Sequence, residues 1–427
     1  MPHITRADCQ HLDSQDGLRG LRERFALPSG VIYLDGNSLG AMPHAVAQRL
    51  QQTAASEWAQ QLIGGWNQAG WYTLPARVAS KIAPLLGAEA GDVMVGDNTS
   101  VNWYKVLSAA VAMAKEQDAT RRVLLTELGN FPTDRYLAHS VAQQHGLTLR
   151  EVPPHTIARA LGPEVAVLAL THVNYRTGAM HDLPDLARRC HAAGVLSAWD
   201  LAHSTGAVPL ALQAWGADFA VGCGYKYLNG GPGAPAFWWV HPNRQTGLEQ
   251  PIKGWFGHAR PFAFAPDFEP AAGAAGLQTG TPPVLSLVAL DEALEVFAQL
   301  APVGGMQALR HKSVALTELF VALFDERLAG LGFALASPRE AARRGSQVSV
   351  QFAGDGYALM QALIAQGVVG DFRAGSPTDQ TPDLMRFGFA PLYNSFDEVW
   401  LAVQCIEQLA QQGTWQPPRQ AARQGVT

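Results

Sequence analysis

In the stretch Cys223-Gly224-Tyr225-Lys226-Tyr227-Leu228-Asn229-Gly230-Gly231-Pro232-Gly233, a lysine stands between two tyrosines, just after an apolar run and just before a cluster of glycines. Lysine ordinarily keeps its ammonium hydrated at the surface, and burial depresses its pKa or forces it into a partnership. Such a residue either snorkels out of an edge strand or is wanted as an amine. Asp200, in "SAWDLAHS", precedes it by 26 residues, about one strand-helix-strand unit. A lysine able to form an imine and a carboxylate that keeps a pyridine nitrogen protonated are what pyridoxal phosphate requires, because the protonated ring then accepts electrons from a substrate carbanion. Spacing alone does not select that chemistry. Asp and Lys separated by a βα unit occur in many α/β proteins, and Asp200 reads equally well as a helix cap or a surface carboxylate at a strand end.

The elements that must hold these residues show as a rhythm in the chain. Between Arg121 and Val240, short aliphatic runs alternate with helical patterns: "RRVLLTE", a helix from about Pro132 to His145, "TLREV", "VAVLALTHV", a helix from Leu183 to Ala193, then "VLSAWDLAH", "FAVGCGYK" and "AFWWVH". Continuous apolar strands alternating with helices predict an α/β fold with a mostly parallel central sheet between helices. Sheets of this kind place their chemistry at the carboxyl ends of the strands. Three exits carry polar residues that an apolar strand does not need: Thr171, then Asp200 and His203, then Tyr225 and Lys226. After Gly280 the rhythm changes. Apolar residues recur at helical spacing from Val284 to about Leu300 and from Gly305 to Ala329, with Leu309, Leu316, Leu319, Phe320 and Leu323 on one face. A smaller α+β unit follows, with strands near Gln347 to Phe352 and Leu384 to Phe389. A last helix opens at Ser395, where Ser395 and Glu398 have capping-box spacing. The polar tail after Gln412 is expected to fray, and a boundary falls near residues 282–305.

Composition narrows the function classes. The 427 residues are 48% hydrophobic and 16% charged, enough for a core divided between about two or three domains. A net charge of −5 and a pI near 6.2 provide no basic footprint for nucleic acid and no polybasic face for a membrane. No apolar window approaches the roughly 18 residues of a membrane-spanning helix. The four cysteines, Cys9, Cys190, Cys223 and Cys405, form no CxxC pair, and no secretory h-region follows Met1 to Arg6, so reduced thiols in a cytoplasmic protein are expected. No HExxH or Cys/His cluster calls for a metal.

Nine segments together carry a resemblance: "YLDGNSLG" at Tyr33 to Gly40, "NTSVNWYKVLSA" at Asn98 to Ala109, "NFPTDRY" at Asn130 to Tyr136, "YRTG" at Tyr175 to Gly178, "DLAHS" at Asp200 to Ser204, "GYKYLNGGPG" at Gly224 to Gly233, "GWFGH" at Gly254 to His258, "TGTPPVLSL" at Thr279 to Leu287 and "RFGFAPLYNSF" at Arg386 to Phe396. The chain resembles the kynureninases, within the type I, aspartate-aminotransferase-like pyridoxal phosphate enzymes. That resemblance implies a type I transferase-like fold. Its parts would be an N-terminal segment (1–45) packing with the small domain, a large cofactor domain (46–290) and a small C-terminal α+β domain (291–427). It implies hydrolysis of the Cβ–Cγ bond of L-kynurenine, and more weakly of 3-hydroxykynurenine, to anthranilate and L-alanine in tryptophan catabolism. A homodimer with shared active sites comes with it.

By the same resemblance Lys226 carries pyridoxal 5'-phosphate and moves the substrate Cα proton, with Tyr225 as a further acid-base group. Asp200 pairs with the pyridine nitrogen, His203 lies close by, Phe131 stacks on the ring, and Asp134 and Thr171 sit near its polar edge. Thr99, Ser100 and Tyr225 receive the phosphate; a helix start supplies free N–H groups there in any case, and a simple N-cap would look identical. Trp255 and Thr281 reach the phosphate from the neighbouring subunit. Arg386 holds the substrate carboxylate, Trp66 lines the aryl slot, and Ser38 lies near the substrate. Vertebrate members carry His and Asn where this chain has Trp66 and Thr281, which favours the bacterial type and kynurenine over its 3-hydroxy derivative. A desulfurase of the same fold needs a nucleophilic cysteine on a loop well past the lysine. Between Cys223 and Cys405 the chain has none, and Cys405 sits in the amphipathic run "VWLAVQCIEQL".

Overall fold

The computed structural model describes residues 3–377 and 381–413, so the tail expected to fray lies outside the described residues from position 414 onward. A seven-stranded sheet runs in the order Val93–Val95, Phe237–Val240, Phe219–Gly222, Leu196–Asp200, Val165–Thr171, Val123–Glu127, Thr148–Val152. The last five are mutually parallel; Phe237–Val240 is antiparallel to both its neighbours. All seven residues of Val165–Thr171 are buried, which is why that strand reads as a continuous apolar run rather than an alternating one. The helix Pro132–His145 starts with proline at its first position, where no N–H is needed, and stops at Gly146 in the left-handed conformation. Thr171 pairs with Asp200, and Asp200 with Val221, so three strand exits come level. The strand expected to continue to Lys226 ends at Gly222. Cys223 to Lys226 already belong to the loop above the sheet.

The second unit is a four-stranded antiparallel sheet in the order Asp371–Arg373, Leu384–Gly388, Gln347–Phe352, Phe333–Leu335. The helical stretch expected from Val284 to Leu300 is divided into Val284–Ala293 and Glu295–Ala298, and the next helix spans Gly305–Arg327. The final helix, Phe396–Gln412, opens with both bonds of the Ser395–Glu398 capping box. The N-terminal segment joins this unit: Ile32–Tyr33 pairs in parallel with Val368–Val369, and the Asp13 carboxylate accepts the Phe396 and Asp397 N–H groups. Cys9 and Leu34 share one apolar cluster with residues from Leu316 to Leu409. Among the described residues no helix is long and apolar enough to cross a membrane.

Candidate active site

Nine of the residues singled out from the sequence line one pocket at the carboxyl ends of the parallel strands: Thr99, Ser100, Phe131, Asp134, Thr171, Asp200, His203, Tyr225 and Lys226. The lysine loop is held there by close backbone approach. Gly40 N–H donates 2.8 Å to Tyr225 O, and a Cβ on Gly40 would stand 2.2 Å from Lys226 O, so only glycine lets the "GNSLG" segment lie on that loop. Lys226 Nζ lies 3.0 Å from His203 Nε2. Burial, then the charges of Lys226, Arg386 and Arg373, hold His203 well below the usual imidazole range, so the ring is neutral and Nε2 can accept from Lys226 Nζ. His203 Nδ1 is buried without a partner among the described residues.

Asp134 and Asp200 are both buried, and burial raises both carboxyls. Asp134 is raised the more strongly, with the neighbouring Asp200 charge as the second cause, which places the shared proton on Asp134 and leaves Asp200 ionised. Thr171 Oγ1 lies 2.5 Å from Asn130 Oδ1, to which it donates its one proton, and 2.9 Å from Asp134 Oδ2, from whose carboxyl proton it can accept, and Ala202 N–H donates to Asp200 Oδ1 at 2.7 Å. A carboxylate so placed, aimed at a pocket that also holds an amine and a neutral imidazole, suits a ligand that brings its own protonated ring nitrogen. On the opposite side begins the helix Thr99–Gln117, whose Asn98 cap takes the Val101 N–H at 3.0 Å and, through its carbonyl, the Asn102 N–H. The Thr99 and Ser100 N–H groups have no acceptor within the helix and suit an anion. Buried acid, amine, unpartnered imidazole nitrogen and anion-accepting helix start together fit pyridoxal 5'-phosphate.

Ser38 and Arg386 lie together beside this pocket: Arg386 Nη2 donates to Ser38 Oγ at 3.0 Å, and Nη1 donates to the carbonyl of Tyr175, whose ring packs edge-on against Phe131 at 5.1 Å. Tyr175, which also lines the pocket, was not singled out as a site residue, although it opens the quoted "YRTG". Asp371 and Arg373 were missed too. They occupy alternate positions of one short strand with buried Phe372 between them, a polar-apolar-polar pattern that places two charges on one face.

Trp66, Trp255 and Thr281 do not line the Lys226 pocket. The Trp66 ring lies 6.0 Å from both Trp71 and Phe256, and Trp255 lies 4.6 Å from Phe256 and 5.7 Å from Phe262, within an aromatic patch that includes exposed Phe262 and Phe264. Thr281 is exposed, two residues along the chain from Thr279, whose carbonyl accepts the N–H of Phe256, the neighbour of Trp255, at 3.1 Å. The structure thus groups Trp66 with Trp255 rather than with Lys226.

Residues 309–406 match the family model described as the kynureninase C-terminal domain. Curated relatives include the kynureninase of Pseudomonas fluorescens, 49% identical over 99% of this chain and 100% of the relative, and that of Burkholderia pseudomallei (strain 1106a), 48% identical over the same shares. Among solved structures, a cysteine desulfurase from Thermococcus onnurineus NA1 superposes with a TM-score of 0.76 at 17% identity, covering 92% of this chain and 98% of its own. A C-DES variant with glycine covalently linked to its PLP cofactor also scores 0.76 at 17% identity, over 90% and 99%. These structural likenesses establish the fold.

Proposed function

We propose, from the premise that the chain belongs to the kynureninase family, that it hydrolyses the Cβ–Cγ bond of L-kynurenine to anthranilate and L-alanine with pyridoxal 5'-phosphate as cofactor. The observation that carries the reading is the Lys226 amine 3.0 Å from a neutral His203, beside the buried Asp134–Asp200 pair, in a chain 49% identical to a kynureninase over its whole length. Lys226 would attach the cofactor, Asp200 would face its ring nitrogen, Phe131 would cover its ring, and Thr99, Ser100 and Tyr225 would receive its phosphate. When bound, the cofactor supplies an electron sink for negative charge developing on the substrate carbons.

This chain's residues do the rest. Asp134, by holding the proton of the carboxyl pair, keeps Asp200 negative and so keeps a ring nitrogen opposite it protonated. His203 accepts from Lys226 Nζ and fixes the direction in which the amine points. With the substrate seated, the Lys226 amine would take the proton from substrate Cα. Burial holds the Tyr225 phenol above its ordinary range, so it stays protonated and can give a proton to Cβ as the aryl fragment leaves. Water forms the new bond to Cγ, the Cβ–Cγ bond breaks, and the products are anthranilate and alanine.

The same proposal includes a homodimer in the cytoplasm. Trp255, Phe262 and Phe264 expose an aromatic patch of the kind a lone monomer rarely leaves in water, which supports a second copy covering it and receiving Trp255 and Thr281 at its own site. The domain limits 1–45, 46–290 and 291–427, and a preference for kynurenine over 3-hydroxykynurenine, belong to this reading too. The test is to purify the protein, reduce it with borohydride, map the cofactor adduct, and follow anthranilate fluorescence after adding kynurenine. An adduct on Lys226 and anthranilate formation are expected; an adduct on Lys81 or Lys105, or no anthranilate, would overturn it.

A further inference from the structure

Arg386 has little left to offer a substrate. A guanidinium has five N–H donors, and four are engaged within the protein. Nε and Nη2 form a fork on the two oxygens of Asp371, Nη2 also donates 3.0 Å to Ser38 Oγ, and Nη1 donates to Tyr175 O. Arg386 is 2% exposed and Asp371 1%. The pair is built into the fold: Asp371 and Arg386 are directly opposed across the antiparallel ladder, and Ser38 Oγ donates a further 3.0 Å bond to Asp371 Oδ2. Holding a carboxylate in a planar fork takes two parallel donors, and one remaining N–H on Nη1 cannot supply them.

A second guanidinium stands beside the first. Arg373 Nη2 is 2.6 Å from Asp371 Oδ2, and its side chain is 29% exposed, far more open than Arg386 or Asp371. Through Asp371 it joins the group made by Arg386, Ser38 and Tyr175, of which Tyr175 lines the Lys226 pocket, and its charge is felt at His203. Two guanidiniums share the single charge of Asp371. The remaining carboxyl, Asp35, is pushed up to about 7 by burial and by Asp371, so it adds only about half a negative charge at neutral pH. Two guanidinium charges against Asp371 and a half-ionised Asp35 leave the cluster net positive, with Arg373 its more open guanidinium.

Resting on the reading of this pocket as an amino-acid site, we propose that the substrate α-carboxylate is gripped by two arginines, Arg373 supplying the open donors and Arg386 the buried one, with Asp371 as the positioning residue that fixes both. Arg373 is therefore a substrate-binding residue, and Ser38 acts by orienting Arg386 and Asp371.

The experiment uses the cofactor-loaded enzyme and three variants, Arg373→Gln, Arg373→Lys and Asp371→Asn. It measures KM and kcat for L-kynurenine and for L-kynurenine amide, together with the dissociation constant of L-alanine from the change in the cofactor's visible spectrum. Loss of one charge-assisted contact predicts a rise of about 10- to 100-fold in KM and in the alanine constant for Arg373→Gln, with kcat changed much less. Preference for the acid over the amide should fall by a similar factor, and Arg373→Lys should recover part of it. Asp371→Asn should raise KM for the acid more than for the amide. If Arg373→Gln keeps its acid-to-amide preference and its alanine constant within about twofold of the parent, the proposal is wrong. A parent enzyme that binds alanine but does not cleave kynurenine would instead fault the function, and the alanine constants would still decide the role of Arg373. Should Arg373→Gln fail to fold, the lysine variant carries the same comparison.

Discussion

Replacing Lys105 with methionine asks whether one buried ammonium holds the phosphate end of the site together. Lys105 Nζ is completely buried; it donates 2.9 Å to Asp97 Oδ2 and 2.8 Å to Leu277 O, and sits 4.1 Å from the centre of the Trp238 ring. Asp97 also accepts the Thr279 hydroxyl at 2.9 Å, and it adopts a φ of 49° one residue before Asn98, the cap of the helix that presents Thr99 and Ser100. Thr279 O in turn takes the Phe256 N–H, and a Cβ on Gly254 would stand 2.2 Å from it. One ammonium thereby links the start of that helix to the loops bearing Trp255 and Thr281. Methionine fills most of the stem volume but leaves Leu277 O without its donor and Asp97 without its cation. An orphaned buried acceptor costs about 1–3 kcal/mol, and a fully buried ion lacking its partner about 3–5 kcal/mol. The Asp97 side chain is 25% exposed and keeps the threonine hydroxyl, so the charge contribution falls well below that range and the total comes to about 3 kcal/mol. For a unit of 150–250 residues this lowers Tm by about 6–12 °C. Calorimetry of the loaded enzyme, with cofactor release followed by absorbance, measures both effects. Adding Asp97→Asn should return about 1–2 kcal/mol in a double-mutant cycle. A Lys105→Met protein that melts within about 1 °C of the parent and keeps its cofactor would refute this account.

Asp200→Asn should retain cofactor yet lose most activity, because an amide cannot keep a ring nitrogen protonated while the buried geometry hardly changes; near-normal turnover would reduce Asp200 to a strand-end residue. Asp35→Asn tests the raised acid. A carboxyl at about 7 in the fold and near 3.8 when unfolded stabilises fully below 3.8 and loses that contribution as pH rises through 7. Relative to the parent the variant should therefore gain stability between those values, with a ceiling of about 4 kcal/mol, and a Tm difference that stays flat from pH 4.5 to 8 contradicts it. In the proposed dimer the Trp66–Trp255 patch would face the partner's pocket, so Trp66→His with Thr281→Asn should narrow a kynurenine preference of about one to two powers of ten in kcat/KM, since an unpaired ring hydroxyl costs about 1–3 kcal/mol on entering the slot. A parent enzyme that turns over 3-hydroxykynurenine equally well would show that Trp66 does not line the aryl slot.

The sheet and most of its site were legible in the chain because parallel strands buried on both faces must be continuously apolar. Polar residues at their exits, Thr171, Asp200, His203 and Lys226, stand out against those runs. Helix limits were legible where the chemistry is local: proline at the first position and glycine after the last bounded Pro132–His145, and Ser395 with Glu398 opened the final helix. Other features depend on contacts between distant segments. Nothing local says that Asp371 and Arg386 stand opposite each other, that Ser38 bridges them, or that Arg373 remains the open guanidinium. Nor does the text of the chain say that Trp66 shares an aromatic surface with Trp255, away from the Lys226 pocket of the same chain. Residue types and spacing determined which chemistry the chain could support, since an amine, a carboxylate and a helix start announce themselves locally. Tertiary structure decided which charges are engaged and which are open, because a guanidinium's free donors are whatever its distant neighbours leave unbonded.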